Sequence, residues 1–520
     1  ERARILPMNT NATSSPTVEQ ALELAQEAYQ PKLTLKQWIE DNAEGCEHKS
    51  DHLLSVEQLK KKPKNKLNAS KRKIDVINGK FSFGNHLLAG GRIEVPWWSG
   101  KLRPKNIESS KPHITRFVPG REGLGLTDRI DSVIHYMKQN NLTVLDHNYG
   151  LWYDRRRDDH ERIRRRDGYV WGPFYEQPFA RSGKETAWDG LSKYDLTKPN
   201  LWYWSRMKAF ADQAASEGLI LFHENYFQHN IIEAGAHWVD SPWRDANNIN
   251  STGFPEPVPF AGDKRIFMAE LFYDIDHPVR RELHRSYIRQ CLDAFAENDN
   301  VVQLISAEFT GPLHFVEFWI DVIAEWEKET GNYATVALST TKDVQDAILN
   351  DPLRSPVIDV IDIRYWHYKS DGELYAPEGG VSMAPRQYAR KMKVGKVTFS
   401  EAYQAVKEYR DKYPQKAVLY NGQNYAALAW ASLMAGGSLP AIPKIDDATF
   451  FEDVMQMTAA RNDENDYFKL EKNDKGAVFY FLDDSEKVVL DLDPGYYQVN
   501  LINEKNGKIT VWKKRLNIKS

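Results

Sequence analysis

Polar side chains follow five apolar segments of this sequence, at the point where each segment ends. Three of them are the carboxyls of Glu224, Glu308 and Asp362. Glu308 follows the apolar run 301–305, where partial loss of water favours the protonated form that a general acid needs. Hydrolysis of a glycosidic bond usually needs two carboxyls that face each other across that bond. The sequence therefore predicts Glu308 as the general acid, with Asp362 or Glu224 as the second carboxyl.

These carboxyls also have structural interpretations. Glu308 can pair with an arginine on a neighbouring strand, and Asp362 can orient Arg364 or buried backbone instead of contacting a substrate. Asp146, at another segment end, is a weaker candidate for catalysis and is grouped with the residues that are predicted to bind substrate. The other residues of that group are His147, Trp152, Arg155, His223, Asn225, His229, His237, Trp238, Arg244, Arg364, Trp366, His367, Asn421 and Gln423.

The segments that must position these side chains lie between residues 113 and 445. Apolar, strand-like segments alternate there with amphipathic helical patterns, which is typical of a parallel sheet covered by helices. No glycine-rich phosphate loop follows the first strand, so a (β/α)8 TIM barrel is favoured over an open doubly wound sheet. Catalytic groups of such a barrel lie where its strands end. The predicted strands are 113–118, 142–148, 219–225, 301–308, 334–340, 358–366, 416–422 and 438–443.

The composition divides the chain into three parts. Residues 1–75 are predicted to form an N-terminal helical and linker segment, which includes a lysine-rich run. Residues 76–459 are predicted to form the barrel, with a β lead-in and long loops. Residues 460–520 contain short alternating segments, two of them separated by an Asn-Gly pair, which is a strong hairpin signal. This last part is predicted to be a small antiparallel β-sandwich.

The overall composition excludes several classes of protein. The 520 residues carry a net charge of -4 and have a mean hydropathy of -0.61, and no apolar run approaches 18 residues, so no membrane span is expected. The near balance of charges argues against nucleic acid as the main partner. The two cysteines, Cys46 and Cys291, exclude a disulfide scaffold. The 15 tryptophans and 25 tyrosines are many for this length and suit a cleft that binds sugar faces.

Two long predicted loops supply further groups for binding. In the first, 152–204, seven arginines alternate with acids between residues 154 and 167. These arginines either pair with the acids or, as suggested for Arg155, clamp sulfate or carboxylate groups of a substrate. The second loop, 227–250, carries histidines that match no zinc motif. We therefore expect no metal and no cofactor, although a structural calcium ion held by loop oxygens is an alternative.

The region from residue 113 to the end of the chain resembles clan A (β/α)8 glycoside hydrolases and related barrels of bacterial polysaccharide utilisation. The motifs that carry this resemblance are AEFTGP at 307–312 and YAALAWASLMAGGSLPAIP at 425–443. A small C-terminal β-sandwich also follows the barrel in many of these enzymes. The resemblance implies a bacterial protein, periplasmic or secreted, in which Glu308 is the acid/base.

The sequence departs from the pattern of that clan at two positions. Ala307 stands before Glu308 where the clan usually has asparagine, and the seventh predicted strand, 416–422, is not followed by the glutamate that serves as nucleophile. The second carboxyl is therefore expected from Asp362 or Glu224, and a retaining mechanism is not implied.

The expected function is hydrolysis of glycosidic bonds in a complex, anionic polysaccharide (sulfated or rich in uronic acid) or in its oligosaccharides. Two alternatives remain open at this stage: a metal-dependent hydrolase or lyase on the same barrel, and a catalytically silent barrel that binds carbohydrate. The sequence does not indicate the oligomeric state.

Overall fold

The computed structural model describes most of the chain from residue 73 onward. The described residues are 58, 73–93, 110–118, 121–150, 174–187, 191–228, 231, 238, 241–256, 267–306, 309–380, 397–420, 427–460, 467–472, 476–482, 489–490 and 492–518. The predicted N-terminal helical segment, 1–75, lies almost entirely outside these residues.

Strands account for much of the described chain, and they differ in length from two to ten residues. In chain order they are β1 (Ile74–Ile77), β2 (Lys80–Phe83), β3 (His86–Leu87), β4 (Gly91–Ile93), β5 (Arg116–Phe117), β6 (Leu142–His147), β7 (Phe174–Tyr175), β8 (Phe179–Thr186), β9 (Ser192–Pro199), β10 (Ile220–Glu224), β11 (Val301–Leu304), β12 (Thr335–Leu338), β13 (Val360–Ile363), β14 (His367–Tyr368), β15 (Leu374–Tyr375), β16 (Ala417–Tyr420), β17 (Thr458–Ala460), β18 (Tyr467–Lys472), β19 (Gly476–Phe481), β20 (Gly495–Ile502) and β21 (Ile509–Ile518).

The helices lie mostly between strands of the central sheet. They are α1 (Ile130–Gln139), α2 (Leu201–Ala215), α3 (Phe267–Phe272), α4 (Pro278–Ala294), α5 (Leu313–Thr330), α6 (Lys342–Asn350), α7 (Phe399–Lys412), α8 (Ala427–Met434) and α9 (Ala448–Gln456), with short 3-10 helices at Asp245–Asn247 and Ser355–Val357. None of the described helices is long and apolar enough to span a membrane.

Seven parallel strands form the central sheet, which we call the curled sheet. Their order across the sheet is β4, β6, β10, β11, β12, β13 and β16, which is also their order along the chain. The helices between these strands bury apolar faces; in α1, for example, Ile130, Val133, Ile134 and Met137 are buried at helical spacing. The prediction of an α/β fold built on a parallel sheet is therefore confirmed.

The first predicted strand, 113–118, is wrong. That segment contains only the two-residue strand β5, which pairs antiparallel with β7 outside the curled sheet. The first strand of the curled sheet is instead β4, which pairs parallel with β6. β4 has only three residues, one of them Arg92, so it lacks the apolar run that marks a buried strand.

The edges of the curled sheet are connected through residues 438–440. The N–H of Ser438 donates to the carbonyl of Val418 in β16 (2.8 Å), and the N–H of Gly90, beside β4, donates to the carbonyl of Pro440 (2.9 Å). The eighth strand predicted at 438–443 is not a regular strand, because Pro440 has no N–H and Leu439 has a positive φ of 46°. The backbone of this segment nevertheless occupies the eighth position, in the strand order of a (β/α)8 barrel.

Two apolar layers lie on either side of the curled sheet. The inner layer includes Val144, Ile220, Phe222 and Leu419, and Phe81 of the hairpin β1–β2 packs with them. The outer layer joins the other side chains of the strands to the helices. Because side chains alternate along a strand, each strand residue belongs to one layer or the other.

The C-terminal part of the chain forms two small antiparallel sheets. One contains β17, β18 and β19, and the other is the pair β20–β21. The predicted Asn-Gly turn lies between β20 and β21, where Gly507 adopts a positive φ of 71° and its N–H donates to the carbonyl of Asn503. The hairpin is therefore found where the sequence predicts it, whereas the packing of the two sheets as a sandwich stays a prediction.

A buried lysine connects the N-terminal hairpin to helix α9. The ammonium group of Lys80 donates to the carbonyls of Val454 (2.7 Å), Met455 (3.4 Å) and Met457 (2.5 Å). These carbonyls lie at the C-terminal end of α9, where the helix leaves its last acceptors without partners.

We expect Lys80→Met to lower the free energy of unfolding by about 3 kcal/mol, because the buried carbonyls lose their donor. Urea unfolding measures this change. Lys73→Met, at an exposed position of the same segment, is the control and should change the free energy by less than about 0.5 kcal/mol. Equal effects of the two substitutions would contradict this role for Lys80.

Candidate active site

Four charged side chains form a buried network inside the curled sheet. Arg92 of β4 donates to Asp146 of β6 (2.9 Å) and to Asp362 of β13 (3.2 Å). Arg364, just beyond β13, donates to the same two carboxylates, at 2.8 Å each. Both aspartate side chains are completely buried. Since β4 and β13 are separated by β16 and residues 438–440, these contacts cross the interior of the curled sheet.

Within this network Asp362, which was predicted to be a catalytic carboxyl, is bound to protein groups. Both of its oxygens accept hydrogen bonds from guanidinium groups, and none of the side chain reaches solvent. Asp146 and Arg364 are likewise bound to partners within the network instead of facing a substrate. Burial alone would raise the pKa of Asp146, but the charges of Arg92 and Arg364 outweigh it and hold that pKa below its usual value.

Glu224 occupies a different position, at the last residue of β10. It lies two residues after Phe222 and therefore faces the interior of the curled sheet, at the edge where the strands end. The amide nitrogen of Asn148, which follows β6, donates to Oε2 of Glu224 at 3.1 Å. Both residues are buried. Of the three predicted catalytic carboxyls, Glu224 is the one that the described structure places on the inner face of the curled sheet at the C-terminal ends of the strands.

The backbone fixes the orientation of Asn148. Its side-chain oxygen accepts the N–H of Gly150 at 2.8 Å, so its NH2 group is the end that points toward Glu224. Residue 150 must be small, because a Cβ at this position would lie 2.6 Å from the Asn148 oxygen and 2.8 Å from the ring of Phe227. The turn after β6 therefore holds a donor against the Glu224 carboxyl.

His147 and His223, which were predicted to bind substrate, lie on the opposite side of the same strands. His147 hydrogen-bonds to Thr115 (2.8 Å) and contacts the ring of Tyr203 of α2. His223 hydrogen-bonds to Gln303 (3.0 Å). Both rings are fully buried between the sheet and the helices. Each histidine is adjacent in sequence to a carboxyl, Asp146 in β6 or Glu224 in β10. Because successive side chains of a strand point to opposite faces, the carboxyls face the interior and the histidines face the outer layer.

Burial keeps these histidines neutral. It lowers the pKa of His223 to about 4, although the hydrogen bond to Gln303 opposes this shift. The pKa of His147 lies well below its usual value because of burial and of the neighbouring His113 and His223. A neutral, fully buried imidazole at this site acts as a packing group with one hydrogen bond.

Four other residues that were predicted to bind substrate are also structural in the described chain. Asn225 donates to Gln303 and accepts from the Trp319 indole, at 2.9 and 2.7 Å. Trp238 is fully buried and packs against Phe254 and Phe272. Arg244 forms a bidentate pair with Glu256, at 2.7 Å for both bonds, and Trp366 donates from its buried indole to Gln345. Their partners in the described chain are protein groups.

The remaining predicted residues divide into two groups. His367 begins the two-residue strand β14, where it is buried and contacts the ring of Tyr375. The others lie outside the described residues: Trp152, Arg155, His229, His237, Glu308, Asn421 and Gln423.

Sequence reasoning missed Arg92 and gave Asn148 no role of its own. Asn148 belongs to the same polar segment end as Asp146, and the alternation of side chains along a strand would have grouped these two and excluded His147. Arg92 carried no such signal, because its strand has no apolar run and lies outside the predicted barrel strands. Among the described residues, no cluster of three histidine, cysteine or acidic side chains has the geometry to hold a metal ion.

The buried His223 makes stability depend on pH. Its pKa of about 4 in the folded protein is lower than the ordinary value of about 6.5, so the unfolded chain takes up a proton first as the pH falls. Between about pH 6.5 and pH 4 this one group should therefore reduce the free energy of unfolding by about 3 kcal/mol.

His223→Asn tests this contribution, because the asparagine amide can donate in place of Nδ1 but does not titrate. Urea unfolding at pH 7 and pH 4.5 should show a smaller loss of stability for this variant than for the wild type. The exposed His135→Asn is the control and should behave as the wild type does. An unchanged loss in His223→Asn would refute this linkage.

Comparisons with known proteins give one matching family model and several solved structures of low similarity. Solved structures similar to this chain include an endo-1,4-beta-mannanase from Rhizomucor miehei, which is 12% identical with a TM-score of 0.34 over 70% of this chain and 88% of that one. A glycoside hydrolase family 5 protein from Bacteroides vulgatus is 12% identical with a TM-score of 0.36 over 77% and 79%. Endo-glycoceramidase II from Rhodococcus sp. is 13% identical with a TM-score of 0.34 over 74% and 83%.

Similarities this low do not bear on the activity of the chain. No curated protein matches it in sequence. A family model described as a domain of unknown function, DUF6298, matches residues 1–457, which include the whole curled sheet. The chain therefore belongs to the DUF6298 family.

Proposed function

We propose that this protein is a glycoside hydrolase that cleaves an anionic polysaccharide, or its oligosaccharides, with Glu308 and Glu224 as its two catalytic carboxyls. The observation that supports this most is the Asn148–Glu224 pair on the inner wall of the curled sheet, where the strands end. Catalytic groups of parallel barrels belong at this edge. A carboxyl with a donor fixed by the backbone is held in one orientation there.

The second carboxyl of the proposal follows the neighbouring strand in the sequence. β11 pairs with β10, and Glu224 lies opposite Leu304 in the register of this pair. Glu308 follows Leu304 by four residues in the sequence. The chain thus leads from a strand next to β10 directly to Glu308, and adjacent strands lie only about 4.8 Å apart.

The buried network sets the charge beneath this edge. Two arginines and two aspartates give it no net charge, so the carboxylates of Asp146 and Asp362 do not add to the negative charge of Glu224. In the proposed reaction Glu308 donates a proton to the leaving oxygen. Glu224 either attacks the anomeric carbon as the nucleophile, or takes a proton from the water molecule that attacks this carbon.

We expect Glu308→Gln and Glu224→Gln each to lower kcat by about 10²-fold or more on a polysaccharide that the wild type degrades, because each removes a proton-transfer or charged group. The substrates are a panel of sulfated and uronic-acid polysaccharides, and product analysis gives the rates. Glu217→Gln, at an exposed residue, is the control.

Two further measurements distinguish the two carboxyls. The loss in Glu308→Gln should be largest for substrates with poor leaving groups, which need protonation most. If Glu224 is a nucleophile, added azide should restore turnover of Glu224→Ala and give a glycosyl azide. Near wild-type turnover of either Gln variant on a poor leaving group would overturn its assignment.

The anionic substrate is proposed from the arginine-rich segment 154–167. Arg244 and Arg364 are bound to carboxylates, so they are not the groups that select an anion. The seven arginines of 154–167 supply that charge in the proposal. Bidentate guanidinium contacts give specificity for sulfate or carboxylate as well as attraction.

Salt should therefore raise KM for a sulfated oligosaccharide by several fold between about 50 and 500 mM, while kcat changes less, because screening weakens the ion pairs. The desulfated oligosaccharide is the matched control and should show little change. Equal KM values for both substrates at every salt concentration would indicate a pocket for neutral glycans instead.

A further inference from the structure

The last two strands form a two-stranded sheet that is attached to the protein mainly at its turn. We call residues 495–518 the C-terminal ribbon. At the turn, the Trp430 indole donates to the carbonyl of Glu504 (3.0 Å) and the Tyr480 hydroxyl donates to its carboxylate (2.8 Å). Ile502 and Ile509, on either side of the turn, pack against the apolar cluster around α8. The turn thus fixes the ribbon in place.

Beyond the turn the C-terminal ribbon exposes large apolar side chains. Tyr496 is 65% exposed and Trp512 is 61% exposed, and Leu501 and Val511 are exposed as well. These four are a third of the twelve exposed large apolar side chains in the described part of the chain, although the ribbon is a small fraction of it. Exposed large apolar side chains are thus more frequent on the ribbon than in the rest of the described chain, as on surfaces that bind a partner.

Two irregularities in the pairing of the ribbon affect these residues. Val499 pairs with Lys513 and Asn500 with Val511, so Trp512 is an extra residue in β21. A second shift lies between the pairs Tyr497–Leu516 and Val499–Lys513. β-Bulges of this kind redirect side chains and recur near binding sites.

The same ribbon is strongly basic. Residues 495–518 contain five basic side chains and one acidic side chain, Glu504, for a charge of +4. Since the whole chain carries -4, the residues outside the ribbon together carry -8. Lys513, Lys514 and Arg515 follow Trp512 directly and are all exposed, and the Arg515 guanidinium lies 4.1 Å from the centre of the Tyr496 ring. The ribbon thus holds one cation against an aromatic ring and exposes two more cations next to Trp512 in the sequence.

We propose that the C-terminal ribbon is a binding surface for anionic polysaccharide, separate from the site at the end of the curled sheet. Trp512 and Tyr496 stack on sugar rings in this proposal, and Lys513, Lys514 and Arg515 pair with sulfate or carboxylate groups. The choice of a polysaccharide among polyanions rests on the proposed function. The charge of the ribbon disfavours a second copy of the ribbon as its partner, because two surfaces of +4 repel each other.

Binding measurements on the full-length chain test this proposal without turnover. The probes are dextran sulfate, a sulfated polysaccharide, and unsulfated dextran of the same length, with affinity measured by calorimetry at two salt concentrations. Trp512→Ala should weaken binding of dextran sulfate about tenfold, as expected for loss of a stacked ring. Lys513→Gln with Lys514→Gln should weaken binding and also reduce its dependence on salt.

Matched controls lie on other surfaces of the protein. Leu353→Ala removes an apolar side chain that is even more exposed than Trp512, and Lys328→Gln with Lys412→Gln removes two exposed charges from α5 and α7. These variants should bind dextran sulfate as the wild type does. All ribbon variants should retain the wild-type melting temperature and the wild-type rate on any short oligosaccharide substrate.

Three results would overturn the proposal. The first is unchanged affinity for dextran sulfate in both ribbon variants. The second is equal or tighter binding of single-stranded DNA, or of vesicles that contain anionic lipid, through the same residues. The third is a dimer in sedimentation experiments that Trp512→Ala dissociates. A protein that hydrolyses no polysaccharide but binds dextran sulfate through the ribbon would refute the proposed function and support this one.

Discussion

The ion-pair network of Arg92, Asp146, Asp362 and Arg364 is the constraint on which the interior of the curled sheet depends. It joins β4, β6 and β13, and thereby connects the first strand to the sixth across the interior. Buried ion pairs add little net stability when complete, but loss of one partner costs about 3–5 kcal/mol because a buried charge is left alone. Each of the four residues is therefore needed once the other three are present.

This network also determines which polar residues are available at the edge above it. It engages Asp146, Asp362 and Arg364, which sequence reasoning had placed in contact with a substrate. Asn148 lies two residues after Asp146, and Glu224 lies two residues after Phe222, which is opposite Asp146 in the sheet. The hydrogen bond between Asn148 and Glu224 and the turn at Gly150 hold these two side chains. Inside the curled sheet, the ion-pair network without net charge is thus followed, toward the C-terminal ends of the strands, by the Glu224 carboxyl and its donor Asn148. The two sets are two residues apart because every second side chain of a strand faces the interior.

Much of the architecture was predictable because it depends on local patterns. The helical face of 130–137, the strands from 142–148 to 416–422 and the Asn-Gly hairpin near the C-terminus all have strong periodic or turn signals. The predictions of the first strand, at 113–118, and of a regular eighth strand, at 438–443, were wrong because local signals are weak there. β4 is three residues long and contains an arginine, and residues 438–440 complete the sheet through isolated backbone hydrogen bonds around a proline.

The sequence by itself determined the order of six of the seven parallel strands, β6 to β16, and the fact that polar residues follow them, since apolar periodicity and chain order are local properties. Only the tertiary structure decided which of those polar residues face the interior and which partner each one finds. His147 and Asp146 are neighbours in sequence, yet one packs against Tyr203 of α2 and the other against Arg92 of β4. The closing of the sheet chooses the inner face, and it brings Arg92 to Asp362 across 270 residues of chain, a pairing that no local pattern encodes.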